Sequence, residues 1–127
     1  MDKKSVSASQ EDYLEAIYQL GQGGKPVRVT DLAEELNVSK ASVNKAVSLL
    51  KEADMVEHEH YGTITLTQTG TNRAKEVFLW HSTLKRFLTQ VLGVDEETAE
   101  EDACKMEHAI SQETMDKLIA HLDGIRK

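Results

Sequence analysis

One cysteine, one proline and no long apolar run set the first bounds on this sequence. A lone Cys104 excludes an internal disulfide framework and fits a reducing compartment. It also excludes the usual four-ligand zinc finger, which needs more cysteines or a paired-histidine spacing. Pro26 sits in the break "GQGGKP"; Pro-rich linkers, internal repeats and low-complexity tracts are missing. No stretch approaches the roughly eighteen apolar residues of a membrane span. The start, "MDKKSVSASQED", has no apolar core behind its lysines, so no signal peptide is expected. The expectation is a cytoplasmic protein with no membrane partner. A net positive charge is lacking too: the chain carries −7. That argues against loose, charge-only attraction to nucleic acid but leaves room for a local basic face.

The 127 residues, 39% of them apolar, suffice for one compact domain or a small domain with an oligomerisation extension. Charge is unevenly spread. Residues 79–127 hold 10 acids and 6 bases. Residues 25–51 hold Lys25, Arg28, Lys40, Lys45 and Lys51 against Asp31, Glu34 and Glu35.

The spacing predicts a helix over 9–21 with Tyr13, Ile17 and Leu20 on one face, Leu14 and Tyr18 beside them, and Ser9 as its N-cap. "GQGGKP" breaks it. Val27–Val29 reads as extended. Thr30 is placed to cap a second helix, 31–36, with Leu32, Ala33 and Leu36 inward. Ser39 is placed to cap a third, 40–53, with Val43, Val47 and Leu50 inward. Helix, tight turn and helix of these lengths read as a helix-turn-helix, with Val38 sealing the turn. An ordinary helical hairpin of a bundle is the plainer alternative. The next segment favours the first: "MVEHEH" and "TITLT" alternate and turn at Tyr61–Gly62, a small hairpin. A helix-turn-helix with a hairpin directly after it is a winged helix.

From about Thr69 to Val91 a long helix is expected, ended by Gly93. A further helix covers "VDEETAEEDACKMEHAI", and Ser111 caps a last one, 112–123. Val77, Phe78, Leu84, Phe87, Leu88, Val91 and Leu92 line the long helix, and Leu118, Ile119 and Leu122 the last. These complete one core or pack against a second copy. Two-fold symmetry would present two recognition helices to successive major grooves.

In "SKASVNKAVSLL", Lys40, Ala41, Ser42, Asn44, Lys45 and Ser48 are not needed for the core. They are small or polar, the surface a helix needs to enter a major groove. Asn44 and Lys45 are expected at base edges. Ala41 and Ser42, with Ser39 at the helix start, approach a thymine methyl or a phosphate. Lys40 and Lys51 meet phosphates, and Lys25 and Arg28 clamp the flanking backbone.

Near the other end, Cys104, Glu107 and His108 are spaced i, i+3, i+4. In a helix this puts a thiol, a carboxylate and an imidazole on one face within one turn. "SQEDYLEAIYQL", the 30–51 helix pair, the hairpin, "WHSTLKRFL" and "DACKMEHAIS" together resemble the diphtheria toxin repressor and manganese transport regulator family of metal-activated repressors. The resemblance runs from about Ser9 to about Leu122. It is to the short form, without the SH3-like domain of longer members.

The resemblance implies a mainly α fold: an N-terminal winged helix-turn-helix, residues 1–70, then a helical metal-binding and dimerisation domain, residues 71–127. Carried over by position, the metal ligands are Asp12 and Glu15 from "EDYLE", His81 from "WHSTL", and Cys104, Glu107 and His108 from "ACKMEH". Asp12 and Glu15 are i, i+3, so their carboxylates can converge. The chain is a hybrid. It is similar to manganese-type members at Asp12 and to iron-type members at Cys104. Oxygen donors favour Mn²⁺, while a thiolate favours Fe²⁺, Co²⁺, Ni²⁺ or Zn²⁺. Mn²⁺ and Fe²⁺ both stay open, the carboxylates weighing toward manganese. Cys104 binds through its thiol or only its backbone carbonyl. Many members hold a second ion with an acidic residue one turn after the middle histidine. Here Leu84 and Lys85 stand there, neither a ligand, and Glu100 is the substitute candidate. Trp80 is expected at the dimer face or against the first helix, and His58 and His60 in solvent.

The function expected is a metal-activated homodimeric repressor on palindromic operator DNA, controlling metal-uptake genes, and not an enzyme. The alternative is a metal-independent winged-helix regulator that senses a small organic ligand.

Overall fold

The computed structural model describes residues 8–59 and 62–126. Helix α1, Ala8–Leu20, buries Tyr13, Leu14, Ala16 and Ile17, a spacing that gathers apolar groups into one stripe. Ser9 lies inside this helix rather than capping it, since helical backbone already begins at Ala8. Gly23 and Gly24 take φ of +79° in the turn after α1, a conformation open to glycine.

Helix α2, Val29–Leu36, starts earlier than the sequence suggests. Thr30 is not its cap. The Asp31 carboxylate accepts the backbone N–H of Arg28 at 2.9 Å, which satisfies a donor the helix start would orphan and moves the start to Arg28. The extended stretch shrinks to Val27 and Arg28. Asn37 closes α2 in the left-handed region at φ +56°, and the Val38 N–H returns to the Ala33 carbonyl at 3.0 Å. Val38 does not seal the turn: it is 38% exposed. Helix α3, Lys40–Glu52, is capped as expected, the Ser39 hydroxyl accepting the Ser42 N–H at 3.0 Å. Its inner face, Val43, Ala46, Val47 and Leu50, joins Leu14, Ile17 and Leu32 in one core.

Strands β1, Val56–His58, and β2, Ile64–Leu66, pair antiparallel with Val56 opposite Leu66 and His58 opposite Ile64. Val56 and Ile64 point inward and Glu57 and Thr65 outward, the two-residue period of a half-buried hairpin. His58 is half-buried rather than solvated. His60 and Tyr61, the latter expected in the turn, lie outside the described residues. The hairpin is stitched to the start of α2, because the Ile64 N–H reaches the Val27 carbonyl at 2.8 Å and Arg28 bridges Thr63.

Helix α4, Gln68–Arg86, begins where Thr67 accepts the Gly70 N–H at 3.0 Å and donates its hydroxyl to the Asp54 carbonyl at 2.7 Å. The described residues form two compact units that divide within α4, one ending at Glu76 and the other beginning at Val77. The early part of α4 belongs to the first unit. Ala74 sits in its core, and Arg73 Nη2 lies 2.7 Å from Glu11 Oε2 on α1.

In the second unit, α4 ends in a π-helical turn, Phe87–Val91, rather than continuing as α-helix. The Thr89 hydroxyl donates to the Lys85 carbonyl at 2.9 Å and the Leu92 N–H reaches back to Phe87 at 3.2 Å, which widens the ladder locally. Gly93 then stops the helix at φ +72°. Helix α5, Glu96–Met106, is capped by Asp95, whose carboxylate accepts the Thr98 N–H at 3.2 Å. It ends four residues short of the expected Ile110, where the chain tightens into turns: the His108 and Ala109 N–H groups reach back only three residues. Helix α6, Gln112–Arg126, is capped by Ser111, which accepts the Thr114 N–H at 3.1 Å. Leu84, Leu88, Ala99, Ala103 and Met115 form the core, and Trp80 packs on this cluster in its own unit. Ala99 and Ala103, i and i+4, let α5 approach closely because neither carries bulk. Phe78, Leu79 and Leu92 are 41%, 53% and 58% exposed. Among the described residues no helix is long and apolar enough to cross a membrane.

Candidate metal centre and nucleic-acid interface

A histidine facing inward on an amphipathic helix needs polar partners. His81, on α4, is 8% exposed and finds two of them. Its Nδ1 lies 2.8 Å from Glu107 Oε1, and its Nε2 lies 3.0 Å from Glu100 Oε2. With a carboxylate at each ring nitrogen, the doubly protonated imidazolium is the favoured form. The Glu107 hydrogen bond, opposed by burial and reinforced by Glu100, pushes the His81 pKa up to about 9.

Glu107 sits at the end of α5, its N–H bonded to the Ala103 carbonyl at 2.9 Å. Its side chain is 0% exposed. Oε1 is used by His81. Oε2 makes no hydrogen bond among the described residues, yet stands 3.3 Å from His108 Nε2. A buried carboxylate costs several kcal/mol unless its charge is compensated. An imidazole nitrogen beside a buried, unsatisfied carboxylate oxygen is a donor pair that fits a divalent cation.

On the other side of His81, one ligand atom from each of His81, Glu100 and Cys104 lies within 4.8 Å of the others. Cys104 is exposed and does not serve as core filling. Glu100 and Cys104 are one turn apart on α5. The other Glu100 oxygen, Oε1, lies 3.1 Å from Lys85 Nζ, and that ammonium also reaches Glu96 Oε2 at 3.6 Å. His81 and Lys85 hold the Glu100 carboxyl below its ordinary range against the opposing effect of burial, and Glu100 holds the Lys85 ammonium above its own.

Within the second unit, His81 therefore has Glu107 on one side and Glu100 with Cys104 on the other, and His108 stands against the far oxygen of Glu107. Asp12 and Glu15 project half-buried from α1 of the first unit at i, i+3. Glu15 Oε2 accepts from Gln19 Nε2 at 3.4 Å. Lys85 is the member of this cluster that the motifs do not pick out, because a lysine is no metal ligand. The signal in the sequence is the i, i+4 series Glu96, Glu100, Cys104, which sets two carboxylates on one face for a cation to meet.

In the first unit, α3 exposes Lys40, Ala41, Ser42, Asn44, Lys45 and Ser48 on the face opposite Val43, Val47 and Leu50. Ser39 is occupied as a cap, its hydroxyl also donating to Ser42 Oγ at 3.0 Å. Lys25 and Lys51 are exposed, and Arg28 is exposed beside the hairpin it bridges. Lys45 and Ser42 also edge an open cavity of about 460 Å³ lined by Asp12, Tyr13, Val38 and Leu49.

The sequence matches two domain models of one family: the iron dependent repressor N-terminal DNA binding domain over residues 5–64, and its metal binding and dimerisation domain over residues 67–127. An uncharacterised HTH-type transcriptional regulator of Methanocaldococcus jannaschii is 42% identical over 114 residues, covering 89% of this chain and 91% of that one. The HTH-type transcriptional regulator MntR of Bacillus subtilis (strain 168) is 36% identical over 113 residues, covering 89% and 79%. Among solved structures, a manganese-dependent transcriptional repressor in complex with manganese aligns with a TM-score of 0.83 at 30% identity, covering 90% of this chain and 52% of that one. The chain thus spans about half the length of such solved regulators.

Proposed function

This chain belongs to the iron-dependent repressor family, and from that premise we propose that it is a metal-activated homodimeric repressor of metal-uptake genes. The family is one of transcriptional regulators, with a DNA-binding domain followed by a metal-binding and dimerisation domain. The observation that carries the reading is the Glu107 side chain, fully enclosed, with one oxygen on His81 and the other without a hydrogen bond among the described residues.

A divalent cation, when bound, supplies the positive charge that lets several carboxylates share one site. Glu107, His108 and His81 are the ligands of the second unit in this reading; Cys104 lies across His81 with Glu100. Asp12 and Glu15 enter the set from the family resemblance and from their spacing on α1. Ligands drawn from α1 couple metal occupancy to the DNA-binding unit. The coupling is limited by the difference in metal affinity between the DNA-competent and incompetent states. His81 must release a proton to become a ligand. Mn²⁺ and Fe²⁺ are the candidate ions. The carboxylates and the manganese-bound solved structure favour Mn²⁺; the Cys104 thiol would favour the softer Fe²⁺, but it groups with Glu100 on the opposite side of His81.

Lys40, Ala41, Ser42, Asn44 and Lys45 form the groove-facing surface of α3. Lys25 and Arg28 meet the flanking phosphates. Phe78, Leu79 and Leu92, apolar and exposed in the single chain, form part of the dimer face. A cytoplasmic location accords with this role. The test is operator binding by the full chain under anaerobic conditions with Mn²⁺, Fe²⁺, Co²⁺ or Zn²⁺, against exhaustive EDTA treatment. Metal-dependent binding supports the reading. Equal binding in chelator overturns it and returns the choice to a metal-independent regulator.

A further inference from the structure

We propose that Lys85 is a resident cation that stands in for a second metal ion, so that the cluster of His81, Glu100 and Cys104 takes none and each chain holds a single ion. The inference rests on the metal-binding reading above and extends it to stoichiometry. A histidine nitrogen, a carboxylate oxygen and a thiol within 4.8 Å of one another make a mixed donor set of a kind that transition ions use. In this chain the set already has a positive charge beside it. Lys85 lies one turn after His81 on α4, and its ammonium sits 3.1 Å from Glu100 Oε1 and 3.6 Å from Glu96 Oε2.

Glu100 is the pivot. Its two oxygens are divided between His81 Nε2 and Lys85 Nζ. A divalent ion on this side must compete for the oxygen that His81 faces and must also stand close to the Lys85 ammonium. Like charges a few ångströms apart repel even where one flank of the site is open. Lys85 and Glu100 are part-exposed, with side chains 32% and 50% open, so solvent weakens the barrier without removing it. On the other side of the ring, the described ion pairs of Glu107 are both with histidines, His81 and His108. The two sides of His81 are therefore unequal: one is compensated by the chain's own lysine, while the other keeps a carboxylate oxygen unsatisfied.

The experiment is a count of bound Mn²⁺ per full-length chain, by elemental analysis after gel filtration and by calorimetric titration. It uses wild type, Lys85→Glu, Lys85→Met, and Lys85→Glu combined with Glu100→Gln. One ion in wild type and two in Lys85→Glu, with the second lost again in the double variant, supports the proposal. Lys85→Met, which keeps the stem but not the charge, should admit the second ion at least tenfold more weakly than Lys85→Glu does. Two ions in wild type overturn the proposal and leave the metal-binding reading standing. One ion throughout, in variants whose circular dichroism is native, overturns it as well. No ion in wild type defeats the metal-binding reading itself, and the proposal with it.

Discussion

His81 Nδ1 stands 2.8 Å from Oε1 of Glu107, a residue 26 positions later whose side chain is closed to solvent. Removing either member leaves the other with one buried polar atom short of this partner, although Glu100 still faces His81 and His108 still faces Glu107. Glu107→Gln keeps the shape and a hydrogen-bond acceptor but deletes the charge. We expect it to fold and dimerise, and to lose Mn²⁺ affinity by roughly 100-fold or more, the upper range for changes around a metal site. Glu15→Ala and His108→Ala should likewise abolish metal-stimulated operator binding in a folded dimer. Either variant binding operator with an unchanged metal response would remove that residue from the ligand set.

The same pair sets a pH dependence. The His81 pKa is about 9 in the metal-free fold, raised above an unfolded value of about 6.5. Its contribution to stability is therefore complete below pH 6.5 and is lost as pH rises through 9, with an upper bound of roughly 3 kcal/mol. Metal binding works against that proton. At pH 7 each ion should displace about one proton from His81, and apparent affinity should rise with pH up to about 9. Calorimetry in buffers of different ionisation enthalpy measures the proton count. A value near zero would show that His81 is not a ligand.

On α3 the polar face can be tested separately from the metal. Lys45→Ala should weaken operator binding while metal affinity stays unchanged. If Lys45 meets a phosphate, the slope of log affinity against log salt falls by about one. If it reads a base edge, discrimination at one operator position is lost instead, by about 1–3 kcal/mol. Asn44→Ala should show the second pattern. Unaltered operator affinity in both variants would move the interface off this face.

Gly70 is needed for space rather than for backbone freedom. A Cβ there would meet the Met55 carbonyl oxygen at 1.9 Å, so the first turn of α4 lies directly on the chain entering β1. Gly70→Ala should destabilise the first unit by about 2–3 kcal/mol, as overpacking does. Urea denaturation of the metal-free protein reads this. Gly124→Ala, inside α6 with nothing within 4 Å of its Cβ position, is the contrast: it should not destabilise and should gain up to about 1 kcal/mol from helix propensity.

Much of the local structure is legible in the sequence because it depends on neighbours within a few residues. The 3.6-residue period sorts Val43, Val47 and Leu50 from Lys40, Asn44 and Lys45. Ser39 and Ser111 are recognisable as caps by a hydroxyl three positions ahead of an orphan N–H, and Gly93 as a stop by its backbone. The start of α2 differs from the sequence expectation because Asp31 reaches back to Arg28, an interaction that competes with a Thr30 cap on nearly equal local terms.

The amino-acid order alone determined which residues carry chemistry: a carboxylate and imidazole pair at 107 and 108, a thiol at 104, a histidine at 81. Tertiary structure decided how they are shared. Ala99 and Ala103 let α5 settle against α4, and only that approach sets Glu100 between His81 and Lys85 and closes Glu107 off from water. Helical periodicity is a property of a single turn. The charge balance around His81 depends on the packing of two helices, which no local window of sequence contains.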